Sequence, residues 1–132
     1  GVILDTDILI DFLNNREPGV SLVSYLIEAE LSLTTVITAY ELWAGAKGIG
    51  LRKKLDALFE DIFCLPLTLR GAKAAGEIAL RLKRKGSEIG PGDSLIAGIC
   101  LSHGLPLITR NIGHFQRIEG LHVLSPQDFI PK

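Results

Sequence analysis

Short apolar runs, separated by longer segments with helical spacing, are the feature that most limits how this chain can fold. The first run, VILD at residues 2–5, is rich in β-branched side chains and ends in a carboxylate. Similar runs follow at residues 31–34, 62–67, 105–109 and 122–124. Strands that alternate with helices pair in parallel and carry helices on both faces. The order therefore predicts an α/β fold, a three-layer α/β/α sandwich with a mainly parallel central sheet.

The segments between these runs have the spacing and the end signals of helices. In the segment from 71 to 85, apolar residues recur every three or four positions, and Gly86 follows as a stop signal. Helices are predicted directly after the first run and at residues 20–29, 38–48, 51–61, 71–85 and 93–104. Residues 110–120 are predicted to form a loop.

The size and composition predict one globular domain over residues 1–132. The chain has 132 residues, of which 47% are apolar and 22% are charged, enough for a core without disulfides. No apolar run has the length that a membrane span needs. No signal-peptide pattern is visible, so a cytoplasmic location is expected. Cys64 and Cys100 lie among apolar neighbours without CxxC spacing and are expected to be buried, reduced thiols.

Four polar side chains stand at the ends of predicted elements and form the candidate site. Asp5 closes the first strand, Glu41 and Asp93 lie near helix starts, and Asn111 follows the fourth strand. If the first and fourth strands are neighbours, the four converge at the carboxyl edge of the sheet. Oxygen ligands of this kind suit Mg²⁺ or Mn²⁺, which activates water and neutralises a phosphodiester. Zinc is not expected, because the histidines are scattered and are interpreted as turn or surface residues: His103, His114 and His122.

Each acidic residue also has a purely structural interpretation. Glu41 has the capping-box spacing from Thr38, and Asp93 suits the first turn of a helix. Asp7 is interpreted as the cap of the first helix, and Asp11 as a solvated helix residue. Burying the unpaired carboxylate of Asp5 is costly, so this residue is the hardest to explain without a ligand.

Basic residues cluster locally although the net charge is only −1. Arg81, Lys83, Arg84 and Lys85 crowd one predicted helix end, and a second cluster comprises Arg52, Lys53 and Lys54. The net charge therefore does not exclude an anionic partner at the first cluster, and the alternative is an ordinary solvated helix end.

Taken together, four segments resemble PIN-domain ribonucleases, and within them the VapC-type toxins of toxin–antitoxin pairs. The segments are VILDTDILIDFL, TTVITAYELWAGA, RLKRKGSEIGPGDSLIAGICLSHGLPLITRN and GHFQRIEGLHVLSP. This resemblance implies a parallel-sheet α/β/α sandwich and a Mg²⁺- or Mn²⁺-dependent endoribonuclease that cuts RNA. It also implies a homodimer and a cognate VapB-type antitoxin whose tail enters the active-site groove.

The resemblance assigns roles by position. Asp5, Glu41 and Asp93 match the metal-binding acids, and Asn111 falls where many relatives carry a further Asp. Since an amide binds a cation less well than a carboxylate, one firmly held metal ion is expected. A second metal ion is expected to bind only when an RNA phosphate is present. Supporting roles in positioning water or ligands are assigned to four residues: Thr6, Asp7, Thr35 and Thr109. With RNA as the substrate, the basic cluster of Arg81, Lys83, Arg84 and Lys85 is expected to contact the RNA backbone.

Two other functions remain open from the sequence. One is a haloacid-dehalogenase-like phosphatase, because DTD after an apolar strand offers Asp5 as a nucleophile, although the further acidic pair of that chemistry is missing. The other is a catalytically silent PIN-like or receiver-like binding module that acts through a partner. For the homodimer, Leu42 with Trp43, or the helix at 51–59, is a candidate apolar surface.

Overall fold

A computed structural model describes residues 1–129 as one parallel sheet covered by helices. The strand order is β3-β2-β1-β4-β5, and each neighbouring pair is parallel. The strands are β1 (Val2–Leu4), β2 (Ser32–Thr35), β3 (Phe63–Leu65), β4 (Leu107–Ile108) and β5 (Val123–Leu124). All five predicted strands are present. The central strand β1 lies between β2 and β4, so the proposed contact between the first and fourth strands is confirmed.

Helices connect the strands and cover both faces of the sheet. They are α1 (Thr6–Leu13), α2 (Gly19–Glu28), α3 (Val36–Ala44), α4 (Ile49–Asp61), α5 (Leu69–Arg84), α6 (Pro91–His103) and α7 (Ile112–Phe115), followed by a 3₁₀ turn at Pro126–Asp128. Helix α6 shows how the sequence sets its ends. Pro91 suits the first turn, where its missing N–H is not needed, and Gly104 ends the helix with a left-handed φ of 64°.

The side chains of β1 alternate between two hydrophobic cores, one on each face of the sheet. Val2 and Leu4 pack with the apolar faces of α1, α2, α3 and α4. Ile3 points to the other face, where the core also contains residues of α5 and α6, Phe115 of α7 and Ile118. The three-layer α/β/α sandwich predicted from the sequence is therefore confirmed.

Helices α5 and α6 approach each other closely at Gly98. A Cβ atom at this position would lie 2.5 Å from the backbone oxygen of Gly71 and 2.7 Å from the Cβ of Ala75. Only glycine allows this approach. The contact fixes α6 against α5 and thereby sets where the first turn of α6, which carries Asp93, meets the edge of the sheet.

Several predicted boundaries are wrong for local reasons. Helix α3 begins at Val36, because Thr35 at the end of β2 is the cap and its Oγ1 accepts a hydrogen bond from the N–H of Thr38 at 3.2 Å. The predicted capping box of Thr38 with Glu41 is therefore absent, and Glu41 lies within the helix. The predicted loop at 110–120 contains the short helix α7.

Two other features bear on the sequence predictions. Within residues 1–129, every helix is too short or too polar to cross a lipid bilayer. Cys64 and Cys100 are both free thiols. Cys100 is fully buried, as predicted, whereas Cys64 is only partly buried because β3 lies at an edge of the sheet.

Candidate active site

An acidic cleft lies at the carboxyl ends of the central strands. Its cavity volume is about 340 Å³, and its lining comprises Asp5, Thr6, Asp7, Ile10, Glu41, Asp93, Asn111 and Phe115. Parallel strands place the residues that follow them at one edge of the sheet, which explains how side chains distant in sequence meet here. The structure thus brings together all four residues predicted for the site, Asp5, Glu41, Asp93 and Asn111.

Asp5 is the most buried acid of the cleft, with 6% of its surface exposed. It follows β1 and caps α1, where its Oδ1 accepts a hydrogen bond from the N–H of Thr6 at 2.8 Å. Its Oδ2 accepts a hydrogen bond from Oγ1 of Thr109 at 2.7 Å. Burial, followed by the nearby charge of Asp7, raises the pKa of Asp5 from 3.8 to about 7. The predicted cap of α1, Asp7, is therefore corrected to Asp5.

Glu41 reaches the cleft from α3 and is oriented by a hydroxyl group of α1. Its Oε1 accepts a hydrogen bond from Oγ1 of Thr6 at 2.7 Å. The same hydroxyl of Thr6 also contacts Oγ1 of Thr38 at 3.0 Å. Thr35 touches Thr38 but none of the cleft carboxylates, so its contribution is to cap α3 and to position this hydroxyl group. Thr6 thus links the start of α1 to the carboxylate of α3.

The loop after β4 binds two acids of α1. The backbone N–H of Arg110 donates to Oδ2 of Asp7 at 3.1 Å, and Oγ1 of Thr109 lies 3.3 Å from the same oxygen. Nε of Arg110 donates to Oδ2 of Asp11 at 2.7 Å. Asp11 is buried, so its prediction as a solvated residue is wrong. Burial also raises the pKa of Asp7. No sequence pattern marks Arg110 as a site residue, because its partner Asp11 is 99 residues away.

Asp93 and His114 meet at the opposite side of the cleft. Nε2 of His114 is buried and lies 2.9 Å from Oδ2 of Asp93. The His114 side chain is partly buried, with 26% of its surface exposed, and lies in the short helix α7. Asn111, three residues before His114, lines the cleft, and its backbone N–H donates a hydrogen bond to Oγ1 of Thr109 at 3.0 Å.

Comparison with known proteins identifies the family. Residues 2–121 match the model of the PIN domain. The chain belongs to the PIN-domain family. A relative in Shigella flexneri, named tRNA(fMet)-specific endonuclease VapC, is 32% identical over 122 residues, which cover 89% of this chain and 92% of that protein. This PIN domain is of the VapC ribonuclease type, as the four sequence segments predicted.

Solved structures of VapC-type proteins share the fold. VapBC2 from Rickettsia felis bound to a DNA fragment from its promoter superposes with a TM-score of 0.84 at 25% identity, covering 94% of this chain and 97% of that chain. VapBC-1 from nontypeable Haemophilus influenzae gives a TM-score of 0.81 at 27% identity and covers 96% of this chain and 98% of that chain. The predicted function as a PIN-domain endoribonuclease toxin agrees with these relatives.

The charges of the PIN-domain cleft favour a bound cation. Of the ion pairs formed by residues 1–129, none involves Asp5 or Glu41. Three polar atoms in or beside the cleft are buried without a hydrogen-bond partner: Oδ1 of Asp7, Oγ of Ser94 and Nε2 of His114. Such atoms mark positions where water or an ion completes the hydrogen bonding.

The carboxylates of the cleft suit a magnesium-like ion that keeps part of its water shell better than an ion that has lost all of its water ligands. Within residues 1–129, no three His, Cys, Asp or Glu side chains are close enough to hold a metal ion by themselves. Mg²⁺ keeps several waters and needs only one or two direct carboxylate ligands, so carboxylates spread around an open cleft suit it. Asp5, Glu41 and Asp93 meet this requirement, since all three line the same cavity.

The predicted RNA-binding residues lie outside the cleft. Arg81, Lys83, Arg84 and Lys85 are exposed at the end of α5, and none of them lines the cavity. Arg81 pairs with Glu119 at 3.2 Å across the surface. Because α5 and α6 pack against each other and only residues 85–90 separate them, the basic end of α5 lies on the same side of the fold as the start of α6.

Proposed function

We propose that this VapC-type PIN domain is a divalent-metal-dependent endoribonuclease that hydrolyses RNA phosphodiesters. The observation that carries the proposal is the convergence of Asp5, Glu41, Asp93 and Asn111 on one cleft that offers them no lysine or arginine partner. Mg²⁺ or Mn²⁺ bound there would activate water and neutralise charge on the scissile phosphate. We further propose that the nuclease domain extends over residues 1–132, because β5 lies beyond residue 121 and still pairs with β4.

The residues of the chain divide the proposed work as follows. Asp5, Glu41 and Asp93 would hold the cation together with its remaining water ligands, and the hydroxyl groups of Thr109 and Thr6 orient the first two of these carboxylates. Asn111 completes the cleft with an amide, which supports our expectation of one firmly held cation in the free protein. Asp7, which also lines the cleft, and Thr35 support the site through hydrogen bonds to other residues. Asp7 holds the loop after β4, and Thr35 positions Thr38 beside Thr6.

A phosphatase reaction at Asp5 has less support. The relative reported above is named an endonuclease, and the further acidic pair that phosphatase chemistry needs is missing from the sequence. A catalytically silent binding module is the alternative that the experiment below addresses.

We propose that RNA lies across the cleft and along the end of α5. Lys83, Arg84 and Lys85 are exposed there, so they can contact phosphates without reading the base sequence. Arg81 is available as well, because exposed ion pairs such as that with Glu119 contribute little. Because the proposed substrate is RNA, we also propose that the protein acts in the cytoplasm.

The VapC-type relatives also suggest which protein partners this chain has. Similar solved structures are VapBC pairs, so we propose a VapB-type antitoxin as the partner of this chain. An apolar groove next to the acidic cleft shares Ile10 and Glu41 with it and offers the antitoxin a continuous surface.

A homodimer also remains a proposal. The surface suggested for it from the sequence is wrong in part, because Leu42, Leu55 and Leu58 are buried in the core of the monomer.

The test is RNA cleavage by the purified chain. We would incubate it, free of any partner, with cellular RNA and MgCl₂ or MnCl₂, beside Asp5→Asn and an EDTA control. Asp56→Asn is the matched control, because Asp56 is an exposed aspartate of α4 outside the cleft. Discrete products that disappear with Asp5→Asn and EDTA but persist with Asp56→Asn would support the proposal. An intact fold with bound metal and no cleavage of any RNA would favour the silent module.

A further inference from the structure

The second basic cluster, Arg52, Lys53 and Lys54, lies near the start of α4 and outside the acidic cleft. All three side chains are exposed, and within residues 1–129 none of them belongs to an ion pair. The first turn of α4 carries no acidic residue, and the N-terminal end of a helix disfavours positive charge. The cluster therefore does not serve the stability of its own helix, and three uncompensated cations close together favour an anionic partner.

Arg52 differs from the two lysines because an aromatic ring holds its side chain in place. Its guanidinium carbon lies over the ring of Trp43, 5.0 Å from the ring centroid. Asp56 stands four residues further along α4, at the spacing of a helical ion pair, but in the described part of the chain Arg52 does not pair with it. The contact with Trp43 thus fixes the cation without neutralising it. A guanidinium group held in this way is suited to bind a phosphate group.

The pair of Arg52 and Trp43 lies beside the acidic cleft. Leu51 and Leu42, which adjoin the pair in sequence, line the apolar groove that shares Glu41 with the cleft. Helix α4 packs on one face of the sheet, and α5 packs on the other face. An RNA strand that reaches the cleft along the basic end of α5 therefore meets the pair after it has crossed the cleft.

We propose that Arg52, held by Trp43, binds a phosphate group of the RNA substrate on the side of the cleft opposite to α5. This inference rests on the proposed function, because it takes RNA as the substrate. A contact to the RNA backbone raises the affinity for every base sequence and fixes how the strand lies across the cation site. Arg52 is thus a substrate-binding residue outside the reacting atoms.

The first test measures RNA affinity without cleavage. A short, labelled single-stranded RNA is titrated in EDTA with the wild-type chain, Arg52→Gln and Arg70→Gln, and binding is followed by fluorescence anisotropy at several salt concentrations. Arg70→Gln is the matched control, because Arg70 is exposed in the first turn of α5, at the opposite end of this helix from its basic cluster.

We expect Arg52→Gln to weaken RNA binding about tenfold, which is the effect of losing one hydrogen-bonded contact to a charged group. The slope of log affinity against log salt concentration should fall by about 0.7, the value for one phosphate contact to a single strand. Arg70→Gln should change neither quantity. Arg52→Lys should keep the wild-type slope, because it keeps the positive charge.

The second test locates the bound RNA on the wild-type chain and does not depend on the folding of a variant. Trp43 is the single tryptophan of the chain, so its fluorescence reports on the surroundings of Arg52. We expect RNA to change this fluorescence in the wild-type chain and in Arg70→Gln, with the affinity that anisotropy gives. A change with poly-glutamate but none with RNA would assign the surface to an acidic protein segment and overturn the proposal.

The outcomes separate this inference from the proposed function. Wild-type affinity and salt dependence in Arg52→Gln would overturn the inference and identify the cluster as a solvated helix face. RNA that binds the wild-type chain without changing the fluorescence of Trp43 would overturn it as well. In both cases, cleavage that depends on Asp5 and on a cation would leave the proposed function intact. A wild-type chain that neither binds nor cleaves RNA would refute both proposals.

Discussion

Replacing Asp5 with asparagine should change how the stability of the cation-free protein depends on pH. Burial and the neighbouring charge of Asp7 raise the pKa of Asp5 from 3.8 to about 7. The folded protein therefore holds this proton more tightly than the unfolded chain does. As a result, the stabilisation is complete below about pH 4 and is lost as the pH rises through about 7. Asp5→Asn removes the titrating group and with it this loss of stability.

The size of this pH-dependent loss of stability follows from the difference between the pKa values of Asp5 in the folded and the unfolded chain. Each pKa unit corresponds to about 1.4 kcal/mol, so the part of the shift that falls between pH 5 and pH 8 is worth at most about 3 kcal/mol. Water that enters the open cleft lowers this value. We expect the free energy of unfolding of the wild-type chain to fall by about 1–3 kcal/mol more than that of Asp5→Asn across this range.

The assay is denaturant unfolding in EDTA at four pH values between 5 and 8. Asp56→Asn serves as a control, because removal of an exposed carboxylate should leave the wild-type pH dependence unchanged. Adding MgCl₂ at pH 8 should stabilise the wild-type chain by about 2.7 kcal/mol at a hundred times the dissociation constant, and Asp5→Asn by less. Parallel pH curves for the wild-type chain and Asp5→Asn would refute the reasoning, since burial of Asp5 would then carry no electrostatic cost.

Three further predictions concern contacts outside the cation site. Arg110→Met should lower the free energy of unfolding by about 2 kcal/mol, because it leaves the buried carboxylate of Asp11 unpaired, and adding Asp11→Asn should restore most of this loss in denaturant titrations. Gly98→Ala should cost about 2 kcal/mol, measured in the same way, because its Cβ would lie 2.5 Å from a backbone oxygen of α5 that cannot move away easily. The double change Lys83→Glu with Arg84→Glu should weaken RNA binding and reduce its dependence on salt, as measured by fluorescence anisotropy at several salt concentrations, and unchanged binding would identify the end of α5 as an ordinary solvated helix end.

The sequence predicted the sheet and the acidic cleft because both depend on local patterns. Apolar runs marked all five strands; Asp5 directly follows β1, and Asn111 lies three positions after the end of β4. Once β1 and β4 are neighbours, a residue that follows either strand must lie at the same edge of the sheet. The positions of these two side chains therefore follow from strand order alone.

The errors came from residues whose environment is set by distant parts of the chain. Thr38 and Glu41 have the capping-box spacing, but the end of β2 at Thr35 decides where the chain turns into α3. Asp11 has the spacing of a solvated helix residue, whereas Arg110, 99 residues later, covers it. No pattern within a single segment contains this information.

The hydrogen bonds of the cleft explain why an acidic site of this kind can fold before a cation binds. Hydroxyl and backbone N–H groups, which carry no net charge, bind Asp5 and Glu41, whereas the guanidinium group of Arg110 neutralises Asp11 beneath the cleft. Full neutralisation of Asp5 and Glu41 by arginine or lysine would stabilise the protein further, but it would also remove the negative charge that attracts a cation. The raised pKa of Asp5 is the energetic consequence of leaving that charge uncompensated. We therefore expect stability without cation and affinity for cation to change in opposite directions when Asp5 is replaced.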